Sequence, residues 1–137
     1  MHRIKLHSGC RQLILLLSFI LLLISVACSS SEDKFAKHLE RGEQSLEQGT
    51  LKEGEIALRN ALQIDQDNAQ ANFLLAETMM QQGEPGQAYQ YYQRTLEADP
   101  EHIQARLRLA VILSLGNRQE QALEMSQKVL DLDPDNV

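Results

Sequence analysis

The chain has 137 residues, enough for one small domain, and it carries 13 Lys and Arg against 19 Asp and Glu. The net charge is −6, and three of the basic residues, Arg3, Lys5 and Arg11, precede an apolar run. Because binding to nucleic acid requires a basic stripe, we expect no nucleic-acid partner. The only cysteines, Cys10 and Cys28, lie near the N-terminus, so neither a disulfide framework nor a metal site is expected beyond them.

Residues 1–27 have the pattern of a signal peptide. A basic stretch precedes an almost wholly apolar run, 13–27, which is shorter than the about 20 residues that cross a bilayer. The sequence Ser25-Val26-Ala27-Cys28 resembles the lipobox of bacterial lipoproteins. That resemblance implies cleavage before Cys28, a fatty acid such as palmitate on the cysteine, and a polar tether over residues 28–34 without helical periodicity. The alternative is an uncleaved anchor.

The resemblance to lipoproteins also implies a location. Ser29, rather than Asp, follows the cysteine, which points to the outer membrane and its periplasmic side. An uncleaved N-terminal helix would instead place the chain at the inner membrane. Both alternatives put the rest of the chain at a bacterial cell envelope.

The remaining chain is predicted to be three helical repeats. Residues 69–102 have the pattern of two short amphipathic helices, joined by Gly-Glu-Pro-Gly and closed by Asp99-Pro100. The same pattern returns over 103–136, and it is present more loosely over 35–68. A fixed period of this size indicates a solenoid, in which each repeat buries its apolar face against its neighbours.

The spacing resembles that of the tetratricopeptide repeat family. The middle repeat matches the family pattern at Leu75, Ala76, Met79, Ala88, Tyr92, Thr95 and Pro100. The third matches at Leu109, Ala110, Leu113, Ala122, Ser126, Val129 and Pro134. The first repeat is degenerate, with Arg41, Ser45, Gly54 and Gln66 at those places. The resemblance implies an all-α, right-handed superhelical solenoid of three helix-turn-helix units.

Local signals predict where these helices begin and end. Asp67-Asn68 is suited to cap the helix that begins at Ala69, and Pro85 to begin the next one. Glycines are predicted to end the first helices in the left-handed conformation: Gly49, Gly83 and Gly116. Small residues are predicted where helices approach closely: Gly42, Ala76 and Ala110.

In the tetratricopeptide repeat family, the first helices line a concave groove that binds partners. When the family's groove positions are transferred to this sequence by repeat register, the predicted partner-binding groove is formed by Leu39, Glu43, Leu46, Phe73, Glu77, Met80, Leu107, Arg108 and Val111. Leu39, Phe73 and Leu107 form a ribbon more apolar than solvation requires. We therefore expect a groove for an extended or helical peptide. The alternative is that some of these side chains pack against neighbouring helices.

One subclass of these repeats clamps the acidic tails of chaperones with basic and amide side chains. The corresponding positions here are Leu39, Glu43, Leu74, Gln104 and Arg108, of which Arg108 alone is suitable. An acidic edge would also repel a carboxylate tail: Glu40, Glu43, Glu47 and Glu77. A basic or apolar protein segment is the partner that fits.

No nucleophile with a nearby base and no Gly-rich phosphate loop is recognisable, so we expect neither an enzyme nor a cofactor. The expected function is a protein–protein interaction scaffold at the envelope. The lipobox together with ALRNALQID and NAQANFLLAE resembles repeat lipoproteins that accompany exosortase and exopolysaccharide systems. Pilus or secretin assembly lipoproteins are similar but less close. A docking subunit of an envelope enzyme complex is a further alternative.

The last helix, predicted over Gln119 to Leu132, has a wide apolar surface. Its apolar residues cover about half the circumference, more than the roughly 100° stripe of a surface helix: Ala122, Leu123, Met125, Val129, Leu130 and Leu132. Terminal repeats normally present a polar outer face. We therefore expect either further repeats or self-association at this end.

Overall fold

The computed structural model describes residues 30–135, and within that range it contains helices and no strands. Residues 30–47 are helical and are called α1. The other helices are α2 (Leu51–Ile64), α3 (Ala69–Gln81), α4 (Pro85–Ala98), α5 (Ile103–Leu115) and α6 (Gln119–Leu132). The predicted signal peptide, 1–27, and the predicted lipidation site, Cys28, lie outside the described residues. In the part that is described, none of the helices has the length and apolar character that a bilayer crossing requires.

The chain separates into two compact units, Met1–Lys34 and Phe35–Val137. Of the first unit, the structure describes residues 30–34, and these are helical. The sequence showed no helical periodicity in this polar tether, yet its described residues, 30–34, are helical. Once a helix is nucleated, each further residue that is fixed gains one backbone hydrogen bond, so exposed polar residues can be helical without an apolar periodicity.

The helices of the second unit form helix–turn–helix pairs with a regular period. Leu51, Pro85 and Gln119 begin α2, α4 and α6, and the spacing between them along the chain is constant. Within pairs, α3 packs on α4 and α5 on α6, while α2 contacts α3 and α4 contacts α5 between pairs. Each helix therefore packs mainly on its neighbours in the chain, as expected of stacked repeats.

Side-chain caps and turns explain several of the helix boundaries. The Asn68 side chain accepts a hydrogen bond from the Ala71 backbone N–H at 3.1 Å, which confirms the predicted cap. Pro85 lies in the first turn of α4, also as predicted. Gly49 and Gly83 have φ of +73° and +79° and confirm the left-handed turns after α1 and α3.

The prediction for the turn after α5 was wrong by one residue. Gly116 has φ of −85°, and the left-handed residue is Asn117, with φ of 57°. Asn is the residue after Gly that most readily takes this conformation, because its short polar side chain can hydrogen-bond locally. Gly116 therefore needs no glycine-specific backbone conformation.

The core lies between α2, α3, α4 and α5. Its largest fully buried side chains include Tyr92, Leu58, Leu75 and Met79. Ala76 and Ala110 are buried, as predicted for close helix contacts. Gly42 on α1 also lies in such a contact, since a Cβ atom there would be only 2.5 Å from the Leu58 side chain. The small residues of the pattern are therefore required by packing.

Helix α6 ends at Leu132, as predicted, and buries Ala122 and Val129. Leu123, Leu130 and Leu132 are 70%, 38% and 41% exposed. The apolar outer surface expected from the sequence is thus present on the described part of the helix. Its continuation into further repeats, or its use in self-association, stays a prediction.

Candidate partner-binding face

Hydrogen bonds between alternate helices align α1, α3 and α5 along one face of the repeat unit. Gln70 Nε2 on α3 donates to Glu43 Oε1 on α1 at 3.4 Å. Arg108 on α5 donates through Nε to Glu77 Oε1 on α3 at 2.8 Å and through an Nη2 atom to Oε2 at 3.3 Å. Helices α1, α3 and α5 therefore lie side by side along one surface, which we call the first-helix face.

Glu77 is the centre of a three-helix network. Tyr92, fully buried on α4, donates its hydroxyl hydrogen to Glu77 Oε1, the oxygen that also accepts from Arg108. Burial, and then the hydrogen bond to the Glu77 carboxylate, raises the pKa of Tyr92 far above its ordinary value. The two-point pairing with Glu77 satisfies the charge of Arg108. Arg108 is thus paired within the chain, although half of its side chain is exposed to solvent.

The apolar groove residues predicted from the sequence divide into two groups. Leu39, Leu46, Phe73 and Met80 are half-buried and pack against the core. Leu107 is half-buried, and Val111 is 52% exposed. The side chains of the first group are therefore only partly accessible to a bound partner.

Phe73 both packs against the core and is partly exposed on the first-helix face. Its ring centroid lies 4.6 Å from that of His102 and 5.9 Å from that of Tyr92. The same His102 caps α5 by accepting from the Ala105 N–H through Nδ1 at 3.2 Å. Phe73 therefore joins repeat packing to the first-helix face, which combines the two interpretations that the sequence left open. Leu74, assigned to the face by the same register, is instead buried in the core.

Charge and apolar exposure change along the first-helix face. On α1, Glu40 and Glu47 are exposed and Glu43 is half-buried beside Gln70. On α5, the exposed side chains include Val111 and, at 79% exposure, Leu115. The face therefore carries exposed carboxylates at its α1 end, and at its α5 end exposed apolar side chains beside Arg108, whose charge is paired with Glu77.

Two side-chain hydrogen bonds were not predicted from the sequence. One is the Tyr92–Glu77 hydrogen bond, and the other is Gln82 on the α3–α4 turn, which donates to Glu55 Oε2 of the preceding repeat at 3.1 Å. Both join residues that no local pattern relates. Within residues 30–135, no group of three or more His, Cys, Asp or Glu side chains is arranged to hold a metal ion.

The stacked helix–turn–helix units with this continuous face define a helical-repeat protein. The profile of the tetratricopeptide repeat family matches residues 45–90 and 79–137, more than half of the chain. The chain therefore belongs to the tetratricopeptide repeat family. A search of curated proteins finds no significant match.

Several solved structures are similar to this chain in fold. The crystal structure of MamA aligns with a TM-score of 0.70 at 18% identity, over 73% of this chain and 58% of MamA. The tetratricopeptide repeat domain of Arabidopsis OM64 aligns with a TM-score of 0.72 at 18% identity, over 77% of this chain and 88% of that domain. The first such domain of Spaghetti (RPAP3), bound to the HSP90 peptide SRMEEVD, aligns with a TM-score of 0.71 at 18% identity, over 76% and 82%.

These likenesses confirm the predicted all-α superhelix of tetratricopeptide repeats. The chain spans less than two thirds of the length of MamA. At 18% sequence identity, the likeness to these structures shows a shared fold alone.

Proposed function

We propose that this protein is a non-enzymatic scaffold that binds a segment of another protein along its first-helix face. The observation that carries the proposal is the graded character of that face, acidic at α1 and apolar at α5. A segment with basic side chains at one end and apolar side chains at the other matches both ends. Peptide-bound relatives such as the Spaghetti domain support the use of this fold for segment binding.

The acidic type of peptide in that relative does not fit here. Arg108 is the side chain of the first-helix face that suits a carboxylate tail, and it already pairs with Glu77 at 2.8 Å. Releasing Arg108 would take its two hydrogen bonds from the Glu77 carboxylate, which would then keep only the bond from the Tyr92 hydroxyl among those of this network. Glu40, Glu43 and Glu47 would add repulsion.

Two synthetic peptides test the proposed function. The first has Lys in one half and Leu in the other, and the second replaces every Lys by Glu. Each carries fluorescein, and fluorescence anisotropy reports its binding to the full chain in lipid nanodiscs. We expect the Lys–Leu peptide to bind more tightly, with an advantage that shrinks as salt rises because exposed charges are screened.

Variants that reverse or introduce a charge locate the binding. Glu43→Lys should weaken the Lys–Leu peptide, and Val111→Asp should weaken both peptides. Glu97→Lys is the matched control, since Glu97 is exposed on α4, outside the first-helix face. Equal binding of the two peptides, or a loss in Glu97→Lys as large as that in Glu43→Lys, would overturn the proposal.

The scaffold is further proposed to be a lipoprotein of the bacterial envelope, attached through Cys28. The support is the lipobox-like sequence that ends at this cysteine. Each buried CH₂ of an acyl chain contributes about 0.8 kcal/mol, so several chains give lasting attachment. An uncleaved N-terminal helix is the alternative anchor.

Metabolic labelling with a radioactive fatty acid tests the attachment. Cys28→Ser is expected to abolish labelling and to leave the N-terminal segment uncleaved. Cys10→Ser, a matched change in the basic stretch, should keep both labelling and cleavage. Labelling that persists at the wild-type level in Cys28→Ser contradicts a lipid on that residue.

Within the envelope, we propose a role in an exopolysaccharide or protein-sorting system. This step rests on the resemblance of the lipobox and the first two repeats to exosortase-associated lipoproteins. Neighbouring exosortase and polysaccharide genes would support it. Neighbouring secretin and pilin genes would favour pilus assembly instead.

A further inference from the structure

A crevice lies between the α3–α4 turn and the α5–α6 turn, at the end of the first-helix face. Its volume is about 460 Å³, and its walls include Met80, Tyr89, Ile112, Leu113, Leu115 and Arg118. Ligand pockets commonly enclose roughly 300–1,000 Å³. The crevice is therefore large enough for a side chain of a bound protein, and its walls are mainly apolar.

The preceding pair of repeats shows why this crevice is open. There, Gln82 spans the equivalent space, donating to the Leu51 carbonyl oxygen at 3.4 Å and to Glu55 at 3.1 Å. In the next pair, Gly116 occupies the register position of Gln82, and Tyr89 occupies that of Glu55. A polar bridge is thus replaced by a glycine opposite an aromatic ring.

The charge at the crevice is positive. Arg118, the charged residue among its lining, has its guanidinium carbon 5.6 Å from the centre of the Tyr89 ring. Its Nε atom donates to the neutral side chain of Gln121. The guanidinium group therefore keeps N–H donors for a further acceptor, and a carboxylate suits it best.

We propose that this crevice is a side-chain pocket for the protein segment that the scaffold binds. The pocket takes one large apolar side chain, aromatic or leucine-like, from a residue next to an Asp or Glu whose carboxylate pairs with Arg118. Met80 and Leu115 belong to both the crevice and the first-helix face, so a segment on that face can continue into the pocket. The inference rests on the proposed function and adds a specificity element to it.

Gly116→Gln is the variant that closes the pocket. The backbone at Gly116, with φ of −85°, resembles that at Gln82, with φ of −77°. A Cβ atom at Gly116 would lie 3.5 Å from the Ile112 carbonyl oxygen and 3.6 Å from that of Leu113, which are ordinary contacts. The substitution should therefore leave the unfolding midpoint unchanged while its side chain enters the crevice.

Arg118→Gln removes the charge and keeps the space. Its matched control is Arg94→Gln, because Arg94 lies over Tyr91 in the same manner, with its guanidinium carbon 5.4 Å from the ring centre. Arg94 and Tyr91 are both on α4 and do not line the crevice.

The probe is a short synthetic peptide in which p-benzoylphenylalanine precedes Asp within a Gly/Ser sequence. After irradiation with the full chain in lipid nanodiscs, mass spectrometry should place the cross-link within residues 80–89 or 112–118. We expect Gly116→Gln to lower this labelling by about tenfold or more, the effect of losing one buried apolar side chain. Arg118→Gln should lower it several-fold, and Arg94→Gln should not change it.

Unlabelled competitors test the chemistry. A Phe–Asp peptide should compete better than a Phe–Lys or an Ala–Asp peptide, and Arg118→Gln should erase the preference for Asp over Lys. Crevice labelling that persists in Gly116→Gln would overturn the inference, as would equal competition by Phe–Lys. Stronger competition by dodecanoate than by Phe–Asp would assign the crevice to a fatty acid and would also overturn it. Should Gly116→Gln fail to fold, Arg118→Gln and the competitors still decide.

This experiment separates the pocket from the proposed function. If the Lys–Leu peptide binds in a manner sensitive to Glu43→Lys while the crevice takes no cross-link, the pocket is refuted and the scaffold function stands. If the crevice is labelled as expected but the Lys–Leu peptide does not bind, the graded face is refuted instead.

Discussion

At the scale of single residues, Gly42 determines how closely α1 and α2 approach. A Cβ atom there would lie 2.5 Å from Leu58 Cδ2 and Cγ, and Leu58 is fully buried, so it cannot turn aside. We expect Gly42→Ala to lower the free energy of unfolding by about 1–3 kcal/mol, the usual cost of overpacking. Urea denaturation measures the change.

Gly86→Ala is the matched control for that substitution. Gly86 lies in α4, and a Cβ atom added there would have no neighbouring atom within 4 Å. The same change should therefore be neutral or stabilise the fold by up to about 1 kcal/mol. Equal stability of Gly42→Ala and Gly86→Ala would show that α1 and α2 can separate without cost.

The ionisation of Tyr92 makes the free energy of unfolding depend on pH in the alkaline range. Burial and the Glu77 hydrogen bond hold its pKa above the ordinary value of 10.0 in the folded protein. The unfolded chain ionises this tyrosine near that value and the folded chain does not, so the contribution is present below about pH 10 and declines as the pH rises further. Tyr92→Phe should flatten this part of the stability profile and cost about 1–3 kcal/mol at neutral pH, through the lost bond to a carboxylate.

Thermal unfolding between neutral and alkaline pH tests this expectation. Tyr91→Phe is the control, because Tyr91 is half-buried on the same helix and its ring lies against Arg94 rather than within the Glu77 network. An alkaline slope that is unchanged in Tyr92→Phe would contradict the assignment.

At the scale of helices, Gln82 links α2 to the turn after α3. Its hydrogen bond lowers the pKa of Glu55, burial opposes that effect, and Lys52 and Arg59 add to the lowering. The resulting stability is therefore present above the ordinary value of 4.5 and is lost as the pH falls through the lowered pKa. Lys52 and Arg59 are 82% and 45% exposed, so their ion pairs contribute little.

Gln82→Ala should accordingly raise the pKa of Glu55 toward its ordinary value. A ¹³C NMR titration of the side-chain carboxyl carbon measures this directly. Gln81→Ala, an exposed change one residue earlier, should leave the titration as it is. A Glu55 titration that does not move in Gln82→Ala would mean that the lysine and arginine, rather than the amide, hold the pKa down.

The helices themselves could be predicted because their signals are local. The Asn68 cap, Pro85 and the regular spacing of the repeats each act through backbone geometry or packing that the sequence pattern displays. The left-handed residue after α5 was misplaced because Gly116 and Asn117 both suit that conformation. Glycine preference alone cannot choose between two such neighbours.

The candidate site could be predicted only in outline. Register transfer brought Glu43, Glu77 and Arg108 to one face, since equivalent positions of stacked repeats must align. It could not show that Arg108 pairs with Glu77, or that Phe73 also packs on His102, because these contacts depend on side-chain conformation between repeats. The crevice followed from the pairing of Gly116 with Tyr89 across repeats, which is visible only when the stacking is known.

At the scale of the whole molecule, the burial of the helices is uneven. Helix α3 has seven buried residues and contacts both α2 and α4, whereas α6 has two buried residues and contacts α5. In a stack of repeats, stability is a sum of repeat and neighbour terms, so helices with fewer contacts open first. Amide hydrogen exchange should therefore be slowest in α3 and faster in α6.

Two core truncations make that expectation specific. Val129→Ala should speed exchange in α6 and leave α2 unchanged, because Val129 is one of the two residues that α6 buries. Leu75→Ala, in the fully buried centre of α3, should cost about 2–5 kcal/mol and speed exchange in every helix. Mass spectrometry of exchanged peptides resolves the helices. Uniform acceleration of all helices by Val129→Ala would mean that the repeats open as one cooperative unit rather than from the α6 end.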